Sequence, residues 1–173
     1  MQSHTSKNTS VNSKKFPAIY SKLDLQVLRD DLYPLHKHYG YLTQIFDYGS
    51  GRPNQAIHDY LLAHNFGRIC YDPYWITERV NTINILKRKD VIVCSNVLNV
   101  IKDNDVMNSI HSALHNSGIV YFITIYEGDK SGVGKESKAD CWQRNQVIKS
   151  YLYPDEIIYK GVITKPMWKK YII

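Results

Sequence analysis

Short continuous apolar runs alternate with amphipathic segments along this chain, and several of the runs begin or end in an acid. Residues 42–47, Leu-Thr-Gln-Ile-Phe-Asp, make one such run and are predicted to form a strand. A Gly49-Ser50-Gly51 turn follows, in which the two glycines, lacking a Cβ, let the backbone turn sharply and approach a ligand. Residues 54–64 have helical spacing, with Ile57, Leu61 and Leu62 expected against the sheet, and Asn65-Phe66-Gly67 breaks the helix. A second strand is predicted over residues 68–71, ending at Asp72. Residues 90–96 are the clearest buried strand, a β-branched run suited to the centre of a parallel sheet. Asp103 and Asn104 offer a cap for an amphipathic helix over 106–115, Gly118 ends it, and 119–126 reads as another buried strand.

The remaining segments are less regular. Leu25, Leu28, Leu32 and Leu35 have helical spacing within 23–39, interrupted by Pro34. Residues 76–89 have room for only a stunted third strand around Val80, Ile83 and Ile85. Residues 127–138 are polar and glycine-bearing and are expected to be a flexible loop. A helix is predicted over 139–151, with Trp142, Val147 and Ile148 as its apolar members. Residues 156–173 contain two β-rich runs around Thr164-Lys165-Pro166 and are expected to form an antiparallel hairpin. Residues 1–14, rich in Ser, Thr, Asn, Lys and Gln, are expected to be a disordered or loosely attached arm, with one domain over 15–173. Strand, glycine turn, helix and strand in that order predict an α/β fold, with a mostly parallel sheet and helices on both sides.

Composition narrows the class. The 173 residues suffice for one domain with a sizeable core, and 43% apolar with 22% charged content is ordinary for a globular protein. No apolar run approaches the ~20 residues of a membrane span, and the N-terminus has no apolar core of a secretory signal, so a cytoplasmic protein is expected. Cys70, Cys94 and Cys141 are odd in number and lack C-x-x-C spacing, which fits buried thiols better than disulfides or zinc. The net charge of +6 permits an acidic partner without demanding one.

The candidate chemistry is nucleoside binding. Asp72 lies 25 positions after Asp47, close to the spacing of about 20 between a glycine turn and a ribose-binding acid. A dinucleotide fingerprint G-x-G-x-x-G fails, because Asn54 stands at the third glycine. An acid just before the turn would repel a diphosphate. Tyr74 or Trp75 would offer an adenine-stacking face, or would simply cover the sheet edge. The pairs His36/His38 and His111/His115 lack a nearby acid or cysteine, so a solvated helix face is expected for the second pair and no metal site is predicted. Neither G-x-S-x-G nor a P-loop is present.

Asp47-Tyr48-Gly49-Ser50-Gly51-Arg52-Pro53 resembles the first motif of class I S-adenosylmethionine-dependent methyltransferases, D-x-G-x-G-x-G, with Pro53 in place of the third glycine. Asp72-Pro73-Tyr74-Trp75 partly mimics the D-P-P-Y motif of amino-methylating DNA enzymes, but it lacks the second proline and follows the second strand rather than the fourth. The order of segments 13–17, 47–51, 72–74, 99–101 and Gln143 is similar to that of a small group of methyltransferase-like proteins found in phages and beside bacterial DNA-modification genes. The resemblance implies a Rossmann-like class I methyltransferase fold with S-adenosyl-L-methionine as cofactor. It implies that Gly49, Ser50 and Gly51 admit the amino acid end of that ligand and that Asp47 contacts it directly or through water. Asp72, with Pro73 and Tyr74, would hold the nucleoside, and Ser95 and Asn96 would lie near the sulfonium. Tyr126, Glu127 and Gln143 are the candidate substrate contacts.

Basic residues are scattered. Lys87-Arg88-Lys89 is expected on the face opposite the ligand, and only Lys130, Lys135 and Lys138 are expected near the reacting methyl group. A small-molecule or protein acceptor is therefore favoured over duplex DNA. The rival readings are a methyltransferase-fold binding protein without transfer, such as a nucleic-acid partner or phage inhibitor, and an enzyme that consumes S-adenosylmethionine without methylating.

Overall fold

A computed structural model of the protein describes residues 18–51, 54–72, 90–138 and 141–165. The N-terminal arm, Pro53, Pro73, Tyr74, Trp75, the stunted third strand, Lys87–89 and the chain's last residues from 166 lie outside the described residues.

The apolar runs become β1 (Thr43–Tyr48), β2 (Phe66–Tyr71), β3 (Val91–Ser95) and β4 (Val120–Thr124). They lie parallel in the order β2-β1-β3-β4. Two short strands, β7 (Ile157–Tyr159) and β8 (Val162–Thr164), close the sheet antiparallel, β8 against β4 and β7 outermost. Alternation divides the runs between two cores. Ile45, Val91, Val93 and Phe122 face α1 (Ala18–Lys22), α2 (Leu25–Leu32) and α4 (Gln55–Ala63). Phe46, Ile92, Cys94 and Ile123 face α5 (Asn104–His115) and the 3-10 turn Leu98–Val100. The sheet is thus an α/β sandwich with both faces covered, as the continuous hydrophobic runs require.

Local signals account for the helix boundaries. Asn54 Oδ1 accepts from Ala56 N, and Asp103 Oδ1 accepts from Asp105 N and Val106 N, so both helices start at side-chain caps. Pro34 sits in the first turn of α3 (Pro34–Tyr39) and Gly40 ends it in the left-handed conformation. Two apolar assignments fail, since Leu35 is 64% exposed and Leu62 is 51% exposed. Leu35 belongs to α3, a separate short helix with no buried residue, and so does not continue the face begun by Leu25 and Leu28.

The region after β4 departs furthest from expectation. No helix spans 139–151; the chain forms β6 (Cys141–Gln143), paired antiparallel with β5 (Lys135–Lys138), then an irregular link and the 3-10 turn Ile148–Tyr151. Asn145 has a φ of 57°, which no right-handed helix accommodates. Its side chain fastens the loop that composition marks as flexible: Oδ1 accepts from Asp129 N at 3.3 Å and Nδ2 donates to Val133 O at 3.0 Å. Gly132 N adds a bond to Asn145 O at 2.8 Å. The expected turn at Thr164-Lys165-Pro166 runs outside the described residues, and the C-terminal hairpin among the described residues turns at Lys160-Gly161. Both turn residues have positive φ, 48° and 76°, as a two-residue turn matched to the twist of its strands requires.

His111 does not lie on a solvated helix face. It is 1% exposed, and its Nε2 lies 2.9 Å from both oxygens of Glu156. Among the described residues no helix is long and apolar enough to cross a membrane, and no three His, Cys, Asp or Glu side chains are grouped to hold a metal ion.

Candidate ligand site

Parallel pairing brings the C-terminal ends of β1, β2 and β3 to one rim, the edge at which open α/β sheets bind ligands. Asp47, Gly49, Ser50, Gly51 and Asp72 meet there. Gly49 and Gly51 both have a φ of 72°, a conformation open to glycine without penalty. Gly49 N and Ser50 N donate to Tyr71 O at 2.7 and 3.0 Å. Gly51 N donates to Asp72 Oδ2 at 2.9 Å. The second acid therefore organises the glycine turn directly. A Cβ on Gly49 would overlap Val97 Cγ2, so the space that this glycine leaves is taken by the residue two past β3.

Asp47 is 2% exposed and occupied. Its Oδ2 accepts from Tyr20 OH at 2.8 Å, Arg68 Nε at 3.0 Å and Arg68 Nη2 at 2.6 Å. In the sheet register Asp47 stands beside Cys70 and Arg68 beside Ile45, which puts the acid and the guanidinium on the same face, two positions apart. Burial works to lower the Arg68 pKa, but Asp47 and then Tyr20 outweigh it and hold the guanidinium firmly charged. Burial first, and then the Asp47 charge, lift the Tyr20 phenol well above its ordinary value, so it stays a donor. Arg68 Nη1 and Ser50 Oγ are buried without a hydrogen-bond partner. Cys70 lies 4.0 Å from His58 Nε2, and burial raises its thiol, which argues against a reactive thiolate.

The other predicted residues line the neighbouring rim. Ser95 Oγ lies 3.0 Å from Thr124 Oγ1. Asn96 is exposed, with a φ of 56°, and its N donates to Thr124 O at 3.0 Å. Tyr126 is 62% exposed. Glu127 Oε2 accepts from Ile148 N at 2.9 Å, and its Oε1 lies 3.7 Å from Lys130 Nζ. Gln143 is buried and bonded to Asn99 and to Tyr126 O, so it holds the rim together. Lys135 is paired with Asp129 in the β5 flap.

Sequence reasoning missed Tyr20, Arg68, Val97 and Arg144, and named Asn99 only as part of segment 99–101. Only Arg68 carries a signal, a charge inside an otherwise apolar strand next to one ending in an acid. Comparison with protein-family models, curated proteins and solved structures gives no match.

The Val97 contact has a measurable consequence. Gly49→Ala is expected to destabilise the protein by at least the ~1–2 kcal/mol of a left-handed alanine, plus the overlap with Val97. Adding Val97→Ala should recover the overlap part only, as read by the shift in urea midpoint. A double variant no more stable than Gly49→Ala would remove Val97 from this role.

Proposed function

We propose that the chain binds S-adenosyl-L-methionine on a Rossmann-like class I methyltransferase fold and transfers its methyl group to a small-molecule or protein acceptor. The observation that carries this reading is the bond from Gly51 N to Asp72 Oδ2, which joins the glycine turn to the acid ending the next strand. The strand order supports it, because a parallel set closed by the antiparallel pair β8 and β7 is what the methyltransferase resemblance implies. Asp72, at the C-terminal end of β2 beside the glycine turn, would receive the ribose hydroxyls. Pro73 and Tyr74 would flank the base. Asp47 Oδ2 is committed to Tyr20 and Arg68, so an ammonium group would be received at Oδ1. Ser95 and Asn96 would lie by the sulfonium, with Tyr126 and Glu127 toward the acceptor. The donor supplies an already activated methyl group; the chain's part is to orient it for in-line attack.

Saturable binding of S-adenosylmethionine or S-adenosylhomocysteine is the expected calorimetric result. Asp72→Ala should weaken it by about 1.5–3 kcal/mol, the range for hydrogen bonds involving a charged group. Asp72→Asn keeps an acceptor for Gly51 N and should retain part of that affinity. No heat and no thermal shift at millimolar ligand would sink the reading.

Two observations favour the rival, a binding protein that no longer transfers methyl groups: Asp47 is committed to an internal ion pair, and Val97 fills the space beside Gly49. Labelled donor separates this rival, and consumption without methylation, by whether product forms and where the label goes. Duplex DNA is disfavoured as acceptor, since Lys130 and Lys135 near the rim are paired with Glu127 and Asp129. Any duplex binding should be weak and fall steeply with salt. Submicromolar affinity at physiological salt, or label in DNA, would reverse that preference.

A further inference from the structure

We propose that Gln143 and Arg144 are positioning residues for the glycine turn, acting on it across the sheet through the segment that leaves β3. Its bearing on ligand binding rests on the donor-binding reading above; the mechanical coupling does not.

The two side chains grip the whole connection from β3 to α5. Gln143 Oε1 accepts from Asn99 Nδ2 at 3.1 Å, while Gln143 Nε2 donates to Tyr126 O at 2.9 Å. One amide thus ties the exit of β3 to the exit of β4. Asn99 Oδ1 is buried without a partner, so the orientation of that amide depends on Gln143. Arg144 N donates to Asn99 O at 2.9 Å. Arg144 Nη1 donates to Ile101 O at 2.6 Å and Lys102 O at 3.3 Å, Nη2 to Asn104 Oδ1, and Nε to Gln146 Oε1 at 3.2 Å.

The chemistry of this grip is unusual for packing alone. Arg144 is 7% exposed, yet every acceptor it reaches is neutral, and no carboxylate among the described residues pairs with it. A buried cation without a counter-charge costs free energy that apolar side chains of similar volume would avoid. What the planar fork supplies instead is geometry, fixing several backbone and side-chain acceptors at once.

The segment so fixed ends on the ligand rim. Val97 precedes the 3-10 turn and accepts from Val100 N at 3.2 Å, and its Cγ2 occupies the place of a Cβ on Gly49. The path therefore runs from Gln143 and Arg144 to Asn99 and Ile101, through the 3-10 turn to Val97, and on to Gly49. Movement at the β6 end would release the side chain against which the glycine turn is seated.

Amide hydrogen exchange on the full chain tests this without any ligand. The reporters are the amides of Gly49, Ser50 and Gly51, bonded to Tyr71 O and Asp72 Oδ2. Arg144→Lys keeps the charge and loses the fork; Gln143→Leu keeps the volume and loses both bonds. Each is expected to speed exchange about tenfold in peptides covering 96–102 and 47–51, the equivalent of about 1.4 kcal/mol, with α1 and α2 unchanged. Val97→Ala, a mild change should the others fold poorly, is expected to speed exchange at 47–51 while leaving 126–146 as in wild type. Affinity for S-adenosylhomocysteine should fall by a similar factor in all three. Faster exchange confined to 126–146 in the first two, or no change at 47–51 in Val97→Ala, would overturn the proposal. Spread to 47–51 in a protein whose wild type binds no S-adenosylhomocysteine would uphold the coupling and remove the donor-binding reading.

Discussion

Asp47→Ala is expected to lower the unfolding free energy by about 3–5 kcal/mol, the cost of leaving a buried charge without its partner. Arg68 keeps its charge in this variant, with a side chain 1% exposed and Nη1 already lacking an acceptor. Tyr20 OH loses its acceptor as well. The double change Asp47→Leu with Arg68→Met should recover most of the loss, because apolar groups of similar volume replace buried pairs at little cost. Urea unfolding checks both, with midpoints moving and slopes unchanged. A loss under about 1 kcal/mol, the value of a solvated pair, would contradict the buried pair. Loss of ligand binding in Asp47→Ala alone is accordingly no proof of ligand contact. The double variant, if it folds, separates the structural from the ligand-facing role.

Glu156→Ala is expected to cost a comparable 3–5 kcal/mol, at the opposite face of the sheet. The carboxylate accepts from Tyr121 OH at 2.6 Å and Tyr153 N at 2.8 Å and lies 2.9 Å from His111 Nε2, so three groups lose their partner together. His111 also stacks on Tyr153 at 4.1 Å, and His115, bonded to Asp155, meets the same Tyr153 ring edge-on at 4.8 Å. Burial pushes the Glu156 carboxyl up, but hydrogen bonds from His111, Tyr121 and Tyr153 outweigh it, and the net pKa is lowered. A carboxyl depressed on folding contributes stability that is present above its unfolded pKa of about 4.3 and lost as pH falls through the folded value. Melting temperature against pH should therefore drop on the acid side in wild type and drop less steeply in Glu156→Gln. Equal acid slopes in the two proteins would show that other carboxylates carry the acid sensitivity.

Much of the scaffold is legible along the chain. β3 and β4 are nearly continuous apolar runs, buried on both faces because helices cover both, and such runs stand out without any partner being known. Asn54 and Asp103 announce helix starts, since a cap bonds within three residues of itself. The glycine turn and its second acid are legible for the same reason: a strand–turn–helix–strand unit is local in sequence.

Tertiary structure decided what each polar side chain does, and here sequence pattern has no purchase. Periodicity reports whether a position is buried, not which distant group satisfies it. No pattern along the chain pairs Asp47 with Tyr20 or Arg68, which α1 and the sheet register bring to the same oxygen. Residues 139–151 read as a helix from the spacing of Trp142, Val147 and Ile148, which gives Gln143, Arg144 and Asn145 no inward partner. Instead all three point inward, to Asn99, Ile101 and Val133, at separations of 44, 43 and 12 residues. Partners this far apart along the chain meet only in the folded structure. Once assembled, a buried polar group must find a partner, and that requirement overrode the helical pattern.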